Sequence, residues 1–277
     1  MTISTKETAT SPQATEPRRV VFETRGMAVG FGDRPDVLAD VDLKVHAGEF
    51  VALLGPSGCG KSTILNLAAG LLRPRRGEVL FDGRPITGVN TSVGYMTQDD
   101  TLLPWRTVAA NVALPLRMRK VPKQRIQQEV SRYLAFLDLQ HAAGLYPAQL
   151  SGGMRRRALL ARSMIYDPEL LLMDEPFAAL DAQMRQQLHA DLRRAVHSTQ
   201  QTVLFVTHDL TEAAVLADRV LVIGGGPPGG VVAEFTIPFG AERDPATLPY
   251  EDGFARIQQE LQEALTRARV PKQKEEE

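Results

Sequence analysis

The chain has 277 residues, 43% of them hydrophobic, enough to bury the core of one large domain or two small ones, which excludes a disordered chain, a fibre or a disulfide-stapled mini-protein. Its 32 Lys and Arg stand against 33 Asp and Glu, so net charge supplies no drive toward nucleic acid or acidic lipid, and any basic partner site has to be local. Cys59 is the one cysteine, which excludes an internal disulfide and fits a reducing compartment, the cytoplasm.

Residues 1–17, MTISTKETATSPQATEP, are polar and Thr-rich without an apolar centre, and read as a flexible tail rather than a secretory signal. No apolar run approaches the roughly 18 to 20 residues of a membrane-spanning helix. From Val20 onward short apolar runs alternate with longer helical patterns, the mark of an α/β domain with a mostly parallel, buried sheet. Strands are predicted at 41–45, 50–54, 78–81, 92–96, 170–174, 202–207 and 219–223. The segment from about 99 to 165 has no comparable strand run, and Ile126, Val130, Leu134 and Leu137 recur at helical spacing after Pro122, predicting a helical lobe inserted in the core. GGGPPGG (224–230) joins the last core strand to VVAEF (231–235), and 250–268 predicts a terminal helix before a frayed KQKEEE. No repeat is visible at a period of 20–50 residues.

The strongest local motif is GPSGCGKST, running through Gly55, Pro56, Ser57, Gly58, Cys59, Gly60, Lys61, Ser62 and Thr63, between the strand FVALL and the apolar helix 64–72. Glycines turn successive backbone N–H groups inward on an anion, and the helix that follows adds its positive end, so triphosphate oxygens find donors without a catalytic side chain. Lys61 supplies a mobile charge, Ser62 a hydroxyl for Mg²⁺, and Thr63 a further phosphate contact. Cys59 is either a redox sensor or a small residue tolerated by a tight loop, and the loop favours the second reading. LLLMDEP (170–176) is an apolar strand ending in two carboxylates, costly to bury unless a cation or water uses them. Alternation along the strand points Asp174 to the metal and leaves Glu175, at the strand end, within reach of an attacking water.

Twenty residues before the carboxylates stands LSGGMRRR (150–157), and with it the set GPSGCGKST, Gln98, LSGGM, LLLMDEP, ALD (179–181) and His208 resembles the nucleotide-binding subunit of an ATP-binding cassette (ABC) transporter over about residues 20–240. The resemblance implies an α/β P-loop NTPase of ABC-ATPase type: a RecA-like core, an antiparallel β subdomain and the helical subdomain 99–165 inserted within 18–240. A C-terminal extension with one helix, 241–277, follows. It implies ATP and Mg²⁺ as ligands, and a head-to-tail dimer of two copies in which each ATP lies between one cradle and the partner's copy of Ser151, Gly152 and Gly153. Glycines opening a helix expose N–H groups suited to a γ-phosphate, although such a turn alone also serves as a simple helix cap. In the same family reading Gln98 touches Mg²⁺ and the attacking water, His208 contacts the γ-phosphate, Glu175 polarises water, and Asp181 lies at the dimer seam. Phe31, thirty residues before Lys61, is either a core ring or the aromatic that stacks on adenine.

QDDTLLPWRTVAANVALPL (98–116) resembles the corresponding segment of ATPase subunits of bacterial importers for nitrate, sulfonates and taurine. This implies a peripheral protein on the cytoplasmic face of the inner membrane, partnered by integral permease subunits and indirectly by an extracytoplasmic solute-binding protein. Leu102, Leu103, Pro104 and Trp105 are either a permease-facing apolar surface or lobe core. Met154 and Ala179 depart from the commoner LSGGQ and SALD, and GGGPPGG replaces an Arg-Pro-Gly-Arg type loop. The competing class, a soluble ABC ATPase acting on nucleic acid or ribosomes, carries long coiled-coil insertions or tandem cassettes, whereas this chain has one cradle, one signature and no extended heptads. Arg155, Arg156, Arg157 and RMRK (117–120) lack interleaved aromatics, and read as a lobe face or carboxylate partners rather than a nucleic-acid patch.

Overall fold

Alternation along the central strands decides which residues face which core. In β3 (Phe50–Leu54) the side chains of Phe50, Ala52 and Leu54 enter one apolar cluster and those of Val51 and Leu53 another, and β7 (Leu170–Asp174) and β8 (Val203–Thr207) divide in the same way. A sheet buried on both faces needs continuous apolar strands, which is what these sequences are. The computed structural model describes residues 18–99, 101–178, 180–226, 228–240 and 242–269; the tail 1–17, the end 270–277 and Ala179 lie outside the described residues.

The central sheet has six strands in the order β10-β9-β3-β8-β7-β6, with β6 spanning Val93–Met96, β9 Arg219–Gly224 and β10 Gly230–Thr236. All neighbours run parallel except β10, which returns antiparallel to β9. On one face lie α1 (Lys61–Ala68) and a second, antiparallel sheet in the order β2-β1-β4-β5, formed by β1 (Val20–Val29), β2 (Leu38–His46), β4 (Arg76–Phe81) and β5 (Arg84–Pro85). β1 and β5 are not among the strands predicted from the sequence. β1 is interrupted by Glu-Thr-Arg-Gly at 23–26, and its pairing shifts register between Arg25 and Ala28, so no clean period of two survives there.

Helices cover the other face. The lobe holds α2 (Val108–Val112), α3 (Leu114–Met118), α4 (Lys123–Phe136) and α5 (Gly152–Met164), and its buried residues join the same cluster as Phe50, Met173 and Phe205. Beyond it come α6 (Ala182–Thr199), α7 (Leu210–Leu216) and α8 (Phe254–Ala268). α8 buries Phe254, Ile257, Leu261 and Leu265, so the C-terminal extension is part of the core packing, each such side chain contributing roughly 1.5–3 kcal/mol. Arg243 fastens the segment ahead of α8: its guanidinium donates to the carbonyls of Val215, Leu216 and Ala217 at the end of α7, and to Asp218 at 3.2 Å. Burial among these carbonyls, with Arg193 nearby, lowers the Arg243 pKa to about 10. Among the described residues no helix is long and apolar enough to cross a membrane.

Candidate active site

β3 ends at Leu54 and the chain turns through 55–60 into α1, opening the loop at the edge where parallel strands end. Gly60 has φ 100°, and a β-carbon there would meet Leu38 Cγ at 2.7 Å, so glycine is required on both counts. Lys61 is buried and its Nζ donates to the carbonyls of Gly55 at 2.7 Å and Pro56 at 2.8 Å, bracing the loop it belongs to. Cys59 sits at 3.9 Å from that ammonium, yet burial pushes its thiol up against the pull of Lys61. A protonated, half-buried thiol fits the packing reading and not a redox sensor.

Two carboxylates meet the loop from β7 and the turn after it. Ser62 Oγ donates to Asp174 Oδ1 at 3.0 Å, bringing together the two side chains expected at the cation. Burial, the largest cause, together with the neighbouring Glu175 pushes the Asp174 carboxyl up, while Ser62 and Lys61 pull it part of the way back. A desolvated carboxylate beside a hydroxyl is a hard-oxygen donor pair that gains from a divalent cation, so these residues fit Mg²⁺. Strand geometry ends at Asp174: Glu175 has φ 42°, a left-handed conformation uncommon outside glycine, and its N–H donates to Val206 O at 3.0 Å. This turn, rather than strand alternation, directs its side chain to His208, whose Nδ1 lies 3.1 Å from Glu175 Oε2.

The structure therefore gathers Lys61, Ser62, Asp174, Glu175 and His208 at one sheet edge. Gln98 follows β6 with an exposed side chain, and it is held through its main chain, its carbonyl accepting from Arg156 of α5 at 2.7 Å. Phe31 is 47% exposed, which removes the core-ring reading. The loop it opens passes the cradle across a cavity of about 440 Å³ lined by Pro35, Asp36, Val37, Ser57, Gly58 and Cys59 among others. Gly229 of the glycine-rich loop donates to Val37 O at 2.9 Å, closing this corner.

Ser151 is the N-cap of α5, its Oγ accepting from Met154 N at 3.3 Å, and Gly152 and Gly153 form the first turn, whose amides have no intrahelical acceptor. A β-carbon on Gly153 would meet Met184 Sδ at 2.7 Å, so this turn packs on the start of α6. Asp181 caps α6 through Met184 N at 2.9 Å. The arginines after the signature bond inside the molecule: Arg155 to Leu150 O at 2.9 Å, Arg156 to Gln98, and Arg157 to Asp191 at 2.9 Å. Leu102 belongs to the lobe core while Trp105 is exposed, which divides that segment between its two readings. A side-chain cluster of Thr207, Arg185 and His189 around Glu212 carries no recognisable spacing in the sequence.

A glycine turn that wraps a lysine, opens a helix and faces a strand-end carboxylate defines a P-loop nucleoside triphosphatase. The sequence pattern of ABC transporters matches residues 38–178, half of the chain. A nitrate import ATP-binding protein of Synechococcus elongatus is 37% identical over 232 residues, covering 83% of this chain and 85% of that one. An aliphatic sulfonates import ATP-binding protein of Xanthomonas axonopodis is 46% identical over 198 residues, covering 71% and 78%. A sulfate/thiosulfate import ATP-binding protein of Gloeobacter violaceus is 45% identical over 199 residues, 71% of this chain but 58% of that longer relative. Among solved structures, a dimeric post-hydrolysis ATP-binding cassette bound to ADP and Pi superposes with TM-score 0.68 at 28% identity, covering 79% of this chain and all of that one. The chain belongs to the ABC transporter family. It is an ATP-binding, ATP-hydrolysing cassette.

Proposed function

We propose that two copies of this chain close head to tail on two Mg²⁺-ATP and that the closure drives uptake of a small oxyanion or sulfonate-like solute through a separate membrane permease. The observation that carries the hydrolytic part is the 3.1 Å approach of His208 to Glu175 beside the Ser62–Asp174 pair. Glu175 accepts the proton of a water whose oxygen attacks the γ-phosphorus, and the β–γ bridging oxygen leaves with ADP. Lys61 and the amides of residues 57–62 offset the charge spreading over the phosphate oxygens. His208 fixes the carboxylate's direction and reaches the γ-phosphate with its other nitrogen. When bound, Mg²⁺ held by Ser62 and Asp174, with Gln98 as the third candidate ligand, neutralises the phosphate charge. The exposed Ser151, with the amides of the half-buried Gly152 and the buried Gly153 behind it, suits the γ-phosphate of the other copy, with Asp181 beside the seam and Phe31 on the adenine.

The permease reading is supported by a cleft of about 800 Å³ between the lobe and the sheets, lined by Ala69, Leu71, Val89, Tyr95, Met118 and Tyr166 among others. Leu71, Val89 and Met118 are exposed in it, an apolar concavity that a short helix of a partner can fill. The importer relatives named above carry small anions in their names, which supports the solute class. Peripheral attachment at the cytoplasmic face, and a solute-binding protein on the other side, follow from the same reading. The test is purification of the tagged chain from solubilised membranes. Stoichiometric recovery of an integral permease, lost in Met118→Glu, supports the proposal, and recovery of ribosomal or DNA-bound proteins instead overturns it.

A further inference from the structure

His208 stands between β8, which ends at Thr207, and α7, which Asp209 caps through the N–H groups of Thr211 at 2.7 Å and Glu212 at 3.1 Å. Both chain neighbours of the histidine depend on one hydroxyl. Thr207 Oγ1 accepts from Asp209 N at 3.0 Å and donates to Glu212 Oε2 at 2.6 Å. Glu212 is 4% exposed, so this carboxylate is held inside the protein one turn behind the histidine it follows.

Its other oxygen, Oε1, faces two nitrogens of α6: His189 Nε2 at 3.6 Å and Arg185 Nε at 3.8 Å. Both nitrogens are buried without a hydrogen-bond partner, and both stand a few tenths of an ångström beyond bonding distance of the same oxygen. Buried polar atoms left in this way cost free energy that a small inward shift of α6 recovers. Arg185 also spans two segments of the site. Its Nη2 donates to Leu180 O at 3.0 Å, the residue before Asp181, and its Nη1 approaches Asp209 Oδ2 at 3.4 Å. Phe177, in the turn after Glu175, packs edge-on against the His189 ring at 4.8 Å.

We infer that Glu212 is a positioning residue for hydrolysis, acting through Thr207 on His208, and that Arg185 ties this unit to the Leu180–Asp181 segment. The inference rests on the reading of Glu175 and His208 as hydrolytic residues. A displacement of residues 180–181 moves Arg185, and with it the charge that faces Glu212; Glu212 transmits the change to the hydroxyl that holds both neighbours of His208. The contacts at 3.6 and 3.8 Å are the ones that close when the site is set for turnover.

Steady-state ATPase assays on the full chain with Mg²⁺-ATP, paired with titration of a fluorescent ATP analogue, test this. Thr207→Val, which keeps shape and removes the hydroxyl, is expected to lower kcat about tenfold with nucleotide affinity unchanged, and Thr207→Ser to restore most of it. Glu212→Gln should show the same split, and the Thr207 pair carries the test if that variant fails to fold. In a His208→Ala background, Thr207→Val should add little, because its effect passes through the missing ring. Wild-type kcat in Thr207→Val while His208→Ala turns over at least about a hundredfold more slowly, at a rate still measurable, overturns the inference and leaves the hydrolytic reading intact. A full multiplicative loss in the double variant marks a structural role and overturns it too, whereas wild-type turnover in His208→Ala brings down both.

Discussion

His208 Nδ1 lies 3.1 Å from Glu175 Oε2 although the two residues come from different strand ends, β7 and β8, and Glu175 reaches this position only through a left-handed backbone at φ 42°. The strain, of order 1–3 kcal/mol, is held by the Glu175 N–H bond to Val206 and by flanking β7–β8 pairing. Glu175→Gln keeps shape and removes the proton acceptor. We expect ATP turnover to fall by about 10²–10³-fold with ATP affinity retained, and the ATP-bound dimer to accumulate in size-exclusion chromatography. Normal turnover would show that the carboxylate is not the base.

Ser62 and Asp174, joined at 3.0 Å, are the pair we propose for Mg²⁺. Asp174→Asn removes the charge that burial makes costly, so the variant should need roughly ten times more Mg²⁺ for half-maximal ATPase activity while melting at or above the wild-type temperature. An unchanged Mg²⁺ titration would separate Asp174 from the metal.

Arg219 of β9 donates through Nε to Oε1 of Glu49, just ahead of β3, at 2.6 Å, and through Nη2 to the carbonyl of Lys44 in β2 of the second sheet. Burial raises the Glu49 carboxyl, but Arg219 and the His46 N–H outweigh it, so its pKa is lowered overall. A carboxyl lowered in the fold stabilises above its unfolded pKa, and that contribution is lost as pH falls through the folded value, which lies under the ordinary carboxylate range. Removing the Glu49 charge leaves the largely covered Arg219 guanidinium with Glu234 as its remaining carboxylate partner, a cost of about 1–3 kcal/mol at pH 7. Thermal melts of wild type and Glu49→Gln should therefore differ widely at pH 7 and converge toward pH 3; parallel curves across that range would contradict the linkage.

Leu261 is fully buried in α8, which packs on α7, the helix that follows His208. Leu261→Ala should cost about 2–4 kcal/mol in urea unfolding, with one cooperative transition, because the extension shares the main core. A separate early transition would make α8 an independent appendage.

Much of the candidate site is legible along the chain because its chemistry is local. The phosphate loop needs glycines, a lysine and a hydroxyl in consecutive positions between a strand and a helix, and 55–63 presents them in that order. The apolar runs 50–54, 170–174 and 203–207 are unbroken because both faces of their sheet are buried, which also makes them easy to read. β1 escaped because Glu23 and Arg25 break its apolar pattern and its pairing slips a register at Arg25–Ala28, so partners on β2 and β4 define it as a strand. Gln98 could be named from its place after a strand, yet its anchorage to Arg156, 58 residues away, depends on α5 folding back over the loop.

By itself the sequence determined the motifs, their order and the period of the elements around them, since bonding between near neighbours and burial of single faces are properties of short segments. Only the tertiary structure decided which of five histidines meet carboxylates and at what distance, that Phe31 is exposed, and that α8 belongs to the core. It also placed Arg185 and His189 around Glu212, a buried cluster whose members are drawn from α6 and α7. Such contacts form between residues whose separation in sequence carries no period, and they are set by how helices pack on the sheet.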